Sequence, residues 1–158
     1  MSLTPREAVD QSEKLILDFC QEMPAEEQFD LEEKNLGLIK EMMDQVGHEE
    51  FTQALIDDVE PPTMFDVQFY ARLGNKEVVG LLNEGLESDE FDDIEDSVVG
   101  LCALETDDGL NALRDCLKNK KFYSVEEVDV FELLDEILEE VSEEYKDKMI
   151  EVIEKFAK

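Results

Sequence analysis

The sequence predicts an all-α protein, either a multi-helix bundle or a short solenoid-like array of helix pairs, with roughly seven or eight helices. Three observations predict it. Leu, Ile, Val and Phe make up 48 of the 158 residues, well above the roughly one-fifth below which a highly charged chain tends to stay disordered. Those residues recur every third or fourth position, interleaved with acids. No segment sustains the apolar–polar alternation of a half-buried strand. The net charge of −30 opposes any compact state by self-repulsion, so the spacing is what argues for folding. The length suits a single all-helical domain over 1–158, with sub-units at 1–60, 61–122 and 123–158.

Each element has its own local signal. Thr4-Pro5-Arg6-Glu7 is a capping box with proline in the first helical position. Val9, Ser12, Ile16, Phe19, Cys20 and Met23 then share a face until Pro24 stops the run. Asp30-Leu31-Glu32-Glu33 repeats the box, ahead of a stripe through Leu38, Ile39, Met42, Met43 and Val46, with Gly47 as C-cap. Phe51, Ala54, Leu55 and Val59 mark a short third helix ended by the diproline Pro61-Pro62, which reads as a hinge. Thr63 caps a helix to Leu73. Gly74-Asn75 turns the chain into Val78, Val79, Leu82 and Leu86. Ser88 to Glu95 reads as a loop or a capped start ahead of Val98, Val99, Leu101, Cys102 and Leu104. A second tight turn at Thr106-Asp107-Asp108-Gly109 leads to Leu110, Leu113 and Leu117. Two capping boxes compete at Ser124 and Asp129, and Phe122 to Val125 suits a short extended piece. A stripe from Val128 to Phe156 forms one long helix or two broken near Ser142.

Two of these segments match each other. Leu73, Val79, Leu82, Leu86 and Phe91 recur 31 residues later as Leu104, Leu110, Leu113, Leu117 and Phe122, the interval of a stacked helix–turn–helix unit. The run Ala71-Arg72-Leu73-Gly74-Asn75-Lys76-Glu77-Val78-Val79 resembles the middle of an ankyrin repeat. The Thr-Pro-Leu-His that should precede it is missing, and neither the fold nor the function of that family is carried over.

Charge excludes more functions than any motif supports. Asp and Glu total 44 against 14 Lys and Arg. The spans between Lys40 and Arg72, Lys76 and Arg114, and Lys121 and Lys146 carry acids and no Lys or Arg. Such a surface repels nucleic-acid phosphates and anionic lipid heads, and attracts cations and basic proteins. Direct nucleic-acid binding and membrane binding are therefore excluded. Cys20, Cys102 and Cys116 have no CxxC spacing and read as reduced thiols. The start lacks the apolar core of a signal peptide and no stretch suits a membrane span, so a cytoplasmic location is expected.

The candidates for chemistry each have a simpler explanation. His48, with Asp44 one turn back, reads as a side chain favoured by a helix C-terminus rather than a metal ligand or general base. The carboxylate pairs Glu41 and Asp44, Glu132 and Asp135, and Glu136 and Glu139 have spacing suited to divalent ions. In so acidic a chain such pairs recur by chance, and bases to hold a phosphate are scarce nearby. A calcium loop from Asp89 would need Gly at Ile94 and Glu at Gly100. Cys102 and Cys116 read as packing thiols. Arg114, Lys118, Lys120 and Lys121 form a basic cluster that neutralises a helix end or seats on an acidic patch of a second copy. No catalytic, cofactor-binding or metal residue is therefore assigned, and no cofactor is expected.

What remains is a non-enzymatic acidic protein-interaction module that covers a basic, nucleic-acid-binding type of surface on another protein. Homo-oligomerisation stays compatible with this. The alternatives are a generic acidic helical scaffold and a carboxylate-based, divalent-metal-dependent all-α hydrolase.

Overall fold

Helix starts and stops follow the local chemistry closely in the computed structural model. It describes residues 3–58, 62–88, 90–118 and 137–156, with the backbone alone at 91, 92, 116–118 and 156. Helix α1 (Pro5–Phe19) opens on the expected box. The Thr4 hydroxyl accepts from the Glu7 N–H at 3.1 Å, and the Thr4 N–H donates back to the Glu7 carboxylate at 3.2 Å. Its buried face is Ala8, Val9, Ser12, Ile16 and Phe19.

Helix α2 (Ala25–Val46) starts earlier than the Asp30 box predicts, leaving Asp30 exposed inside it. Pro24 carries no side-chain cap, but its carbonyl takes the first helical bond from Gln28 at 3.0 Å. Glu26 and Glu27 sit where the helix dipole favours acids. The Gln28 side chain also donates to the Phe19 carbonyl at 3.0 Å, tying α2 to the end of α1. Gly47, at φ 93°, then breaks the helix and starts α3 (His48–Ile56) without a spacer. Such a φ suits glycine.

Past the diproline, whose Pro61 lies outside the described residues, Thr63 caps α4 (Met64–Arg72) by accepting from the Asp66 N–H at 3.2 Å. A 3₁₀ turn (Lys76–Val78) leads into α5 (Val79–Gly85). Helices α6 (Phe91–Ala103) and α7 (Asp107–Lys118) follow, then helical residues 137–140 and α8 (Glu143–Phe156). Ser142 breaks the C-terminal stripe as one of the two expectations had it, its hydroxyl accepting from the Tyr145 N–H at 3.3 Å. The second tight turn is displaced from its expected position. Thr106 accepts from the Gly109 N–H at 2.9 Å, so Asp107, Asp108 and Gly109 already form the first turn of α7. The competing boxes at Ser124 and Asp129, and the extended piece at 122–125, fall outside the described residues. The described residues are 81% helical with no strand, as the all-α expectation requires.

The two turns 31 residues apart share one hydrogen-bond pattern. Leu73 ends α4 at φ −86°, ψ 4°, and Leu104 ends α6 at φ −84°, ψ 1°. Each is followed by a positive φ, 97° at Gly74 and 56° at Glu105. The N–H of Gly74 reaches the Ala71 carbonyl at 2.9 Å, and that of Glu105 reaches Cys102 at 2.9 Å. Asn75 N–H donates to Tyr70 at 3.0 Å and Thr106 N–H to Leu101 at 3.3 Å, the long bond of a Schellman motif. Asn75 and Thr106 then cap the next helical element with their side chains.

Helix α6 divides the interior. On one side lies a core from α1 to α5 that takes in Leu101. On the other, Ile94, Val98, Val99 and Cys102 pack with α7, Ile137 and α8. Leu86 touches both. The first core runs across the diproline, with Phe19 edge-on to Phe69 at 5.3 Å and Phe51 edge-on to Tyr70 at 5.0 Å. Glycine allows the closest approaches. A Cβ at Gly100 would sit 2.8 Å from Leu82, and one at Gly109 would sit 2.8 Å from the α6 backbone.

Candidate functional site

The most distinctive surface lies beside the Phe19–Phe69 contact, where α1 and the start of α4 enclose a cleft of about 600 Å³. Helix periodicity builds one wall. Asp10, Glu13 and Leu17 fall three and four residues apart, so they share a stripe next to the buried one. The opposite wall is Thr63, Phe65 and Asp66, placed by the cap that starts α4. Two large apolar side chains stand open to solvent here, Leu17 at 61% and Phe65 at 41% exposure. Phe65 is held by an edge-on contact with Phe69 at 5.1 Å. Lys14 is the one base among the lining residues described.

The carboxyls of this cleft are poorly compensated. Burial pushes Asp66 from the ordinary aspartate range up to about 6, and the Thr63 hydrogen bond only partly offsets it. Glu13 is raised as well, by burial first and then by the charges of Asp66, Asp58 and Asp10, with Arg6 acting the other way. Donor atoms of Asp10, Glu13 and Asp58 lie within 4.8 Å of one another. Arg6 takes Asp58 at 2.8 Å and the Ala54 carbonyl at 2.8 Å, so one member of that trio already faces a cation.

Tyr70 stands one turn beyond Asp66 on α4. It is fully buried, and its hydroxyl has no hydrogen-bond partner. Its ring packs edge-on against Phe51 at 5.0 Å, inside the core. Burial raises the Tyr70 phenol well above its ordinary value, and the charges of Asp66 and Glu13 add to the effect.

The residues considered from the sequence lie elsewhere. His48 bonds Asp44 at 2.9 Å. It stands just past the end of α2, as expected, but it is also the first residue of α3. Glu41 is exposed on α2 and lines a separate apolar groove with Leu15, Leu38 and Met42. Glu132, Asp135 and Glu136 lie outside the described residues, as do Asp89, Lys120 and Lys121. Cys102 is buried, its thiol donating to the Gly109 carbonyl at 3.6 Å, and the side chain of Cys116 is not described. Arg114 donates to Asn111 at 3.0 Å and lines a small pocket with Lys148 and Lys155.

Sequence reasoning passed over Asp10, Glu13, Asp58 and Asp66. The available signal was Leu17, an apolar residue one position off the buried stripe with Asp18 beside it and Glu13 one turn back. Among the described residues, no helix is long and apolar enough to cross a membrane. No protein-family profile matches the chain, and no curated protein or solved structure is significantly similar to it.

Proposed function

We propose that this chain is a non-enzymatic acidic protein-interaction module that covers a basic, nucleic-acid-binding type of surface on a partner protein. The observation that carries the reading is the α1–α4 cleft, where poorly compensated carboxyls flank exposed Leu17 and Phe65. An apolar centre ringed by charge is the composition of a protein interface, and the field of a −30 chain steers basic partners toward it. The same reading takes the 31-residue correspondence as a repeated helix–turn–helix unit, a rigid scaffold that presents this surface. It also places the chain in the cytoplasm, in keeping with thiols that stay reduced.

The test uses purified basic proteins of the nuclease type, with nucleic acid as competitor. Binding should appear at low salt, compete with nucleic acid, and vanish above roughly 0.5 M salt. Absence of binding to every such protein at low salt would overturn the reading. Among the described residues, the trio of Asp10, Glu13 and Asp58 is the one arrangement favouring the alternative of a divalent-metal-dependent hydrolase. That alternative predicts a rise in melting temperature with manganese that Glu13→Gln abolishes.

A further inference from the structure

Resting on that reading, we infer that the α1–α4 cleft is the seat for an arginine side chain of the partner, carried on an amphipathic segment whose apolar residues cover Leu17 and Phe65. Three observations meet at this place. Asp66 and Glu13 face the cleft, close enough that their charges oppose one another. Tyr70, one turn on from Asp66, is fully buried with its hydroxyl unpartnered, and the charges of Asp66 and Glu13 reach it. Phe65 and Leu17 supply an open apolar wall against which the methylene stem and flat face of a guanidinium can lie.

Charge complementarity selects the occupant. A guanidinium is planar and carries five N–H donors in a fixed fork, so it can bond two carboxyls at once. Lysine offers a strongly hydrated point charge without that fork. Seating the cation holds Asp66 ionised, because an opposite charge close by favours the charged form. Arg6 already shows that this corner of the molecule accepts the group. Its guanidinium bonds Asp58 at 2.8 Å and the Ala54 carbonyl at 2.8 Å. Glu13 and Asp66 form the adjacent half of the same acidic surface.

Proton linkage follows from the same geometry. The groups facing Asp66 across the cleft are Glu13, Asp10 and Lys14 on α1, with Cys20 at its end. Asp58 and Arg6 act on Glu13, and Asp93, Glu95 and Asp96 of α6 line the other side of Thr63 and Phe65. Acidification neutralises the carboxyls before it touches arginine, so arginine binding should weaken as pH falls through about 6.

The experiment measures binding of the full chain to a synthetic amphipathic peptide with arginine and leucine on one face, at about 0.15 M salt. Matched peptides carry lysine or citrulline in place of arginine. The arginine peptide should bind at least about tenfold tighter than the citrulline one, and more tightly than the lysine one. Asp66→Asn and Phe65→Ala should each weaken it by about tenfold. The charge-matched control Glu27→Gln, on the exposed first turn of α2, should change it by less than about twofold.

If Asp66→Asn and Glu27→Gln weaken binding equally, the attraction is diffuse and the seat is refuted, while the broader reading survives. If no basic peptide or protein binds at low salt, both fall. If millimolar calcium or manganese displaces the peptide and raises the melting temperature through Asp66, the cleft is a metal site and the arginine assignment is overturned.

Discussion

Asp66 is stabilised in its neutral form by the fold and is needed in its charged form by the proposed partner. Its carboxyl titrates near 6 in the folded protein because burial penalises the charge, against about 4 in an unfolded chain. A carboxyl raised on folding binds a proton more tightly in the native state. Its contribution is therefore fully present below about pH 4 and is lost as pH rises through about 6. Asp66→Asn removes that loss. The variant should be more stable than the parent at neutral pH by about 1 kcal/mol, after allowing for solvent screening of a half-buried group. The gain should shrink toward zero near pH 4. Urea unfolding at two pH values checks it, and a gain that is constant with pH would show that Asp66 titrates normally. Removing the unpartnered Tyr70 hydroxyl should likewise cost nothing in folding, since a buried donor without an acceptor is unfavourable. A site that improves stability when disabled is what a binding function leaves behind.

At the scale of elements, the helices were legible where a side chain signals the boundary. Thr4, Thr63 and Gly47 did so, and each cap has the expected geometry. The start of α2 departs from the sequence signal because Pro24 caps it with a backbone carbonyl alone, while Asp30 offers a stronger but unused side-chain signal. The turn after α6 departs from its expected position for a related reason. The position equivalent to Gly74 is Glu105, so the residue that marks a positive φ is missing there. A non-glycine residue in that region costs roughly 1 kcal/mol. Glu105→Gly should therefore raise stability by about that amount, seen as a rise of a few degrees in melting temperature, even though it gives up the bond that Ser142 donates to Glu105. Gly74→Ala should lower stability by a similar amount. If both substitutions are neutral, the two turns are not strained alike and their shared pattern has no energetic meaning. Gly100→Ala should be more damaging than either, at about 2 kcal/mol, because its methyl has to displace Leu82 or part α6 from α4.

For the molecule as a whole, the fold class follows from apolar spacing, but the candidate site does not follow from any local pattern. Asp10 and Glu13 come from α1, Asp58 follows α3 and Asp66 lies on α4. Which of 44 acids lack a nearby base depends on how those elements pack. Arg72 illustrates the point. It grips Glu140 through two bonds, at 2.6 and 3.1 Å, and lies over the Phe69 ring at 5.6 Å, all set by tertiary structure. The charge as a whole leads to a prediction with two opposite signs. At about 0.01 M salt the screening length is roughly 30 Å, so acids on opposite faces still repel one another. At about 0.2 M it falls below roughly 8 Å and only neighbours interact. The melting temperature should therefore climb by several degrees between those two conditions and then level off, because little long-range repulsion is left to remove. Binding to a basic partner should fall over the same interval, since that attraction is screened by the same ions. A melting temperature that keeps rising in molar sodium chloride, with no loss of a partner along the way, would instead identify a scaffold whose acids serve a salty solvent rather than a basic surface.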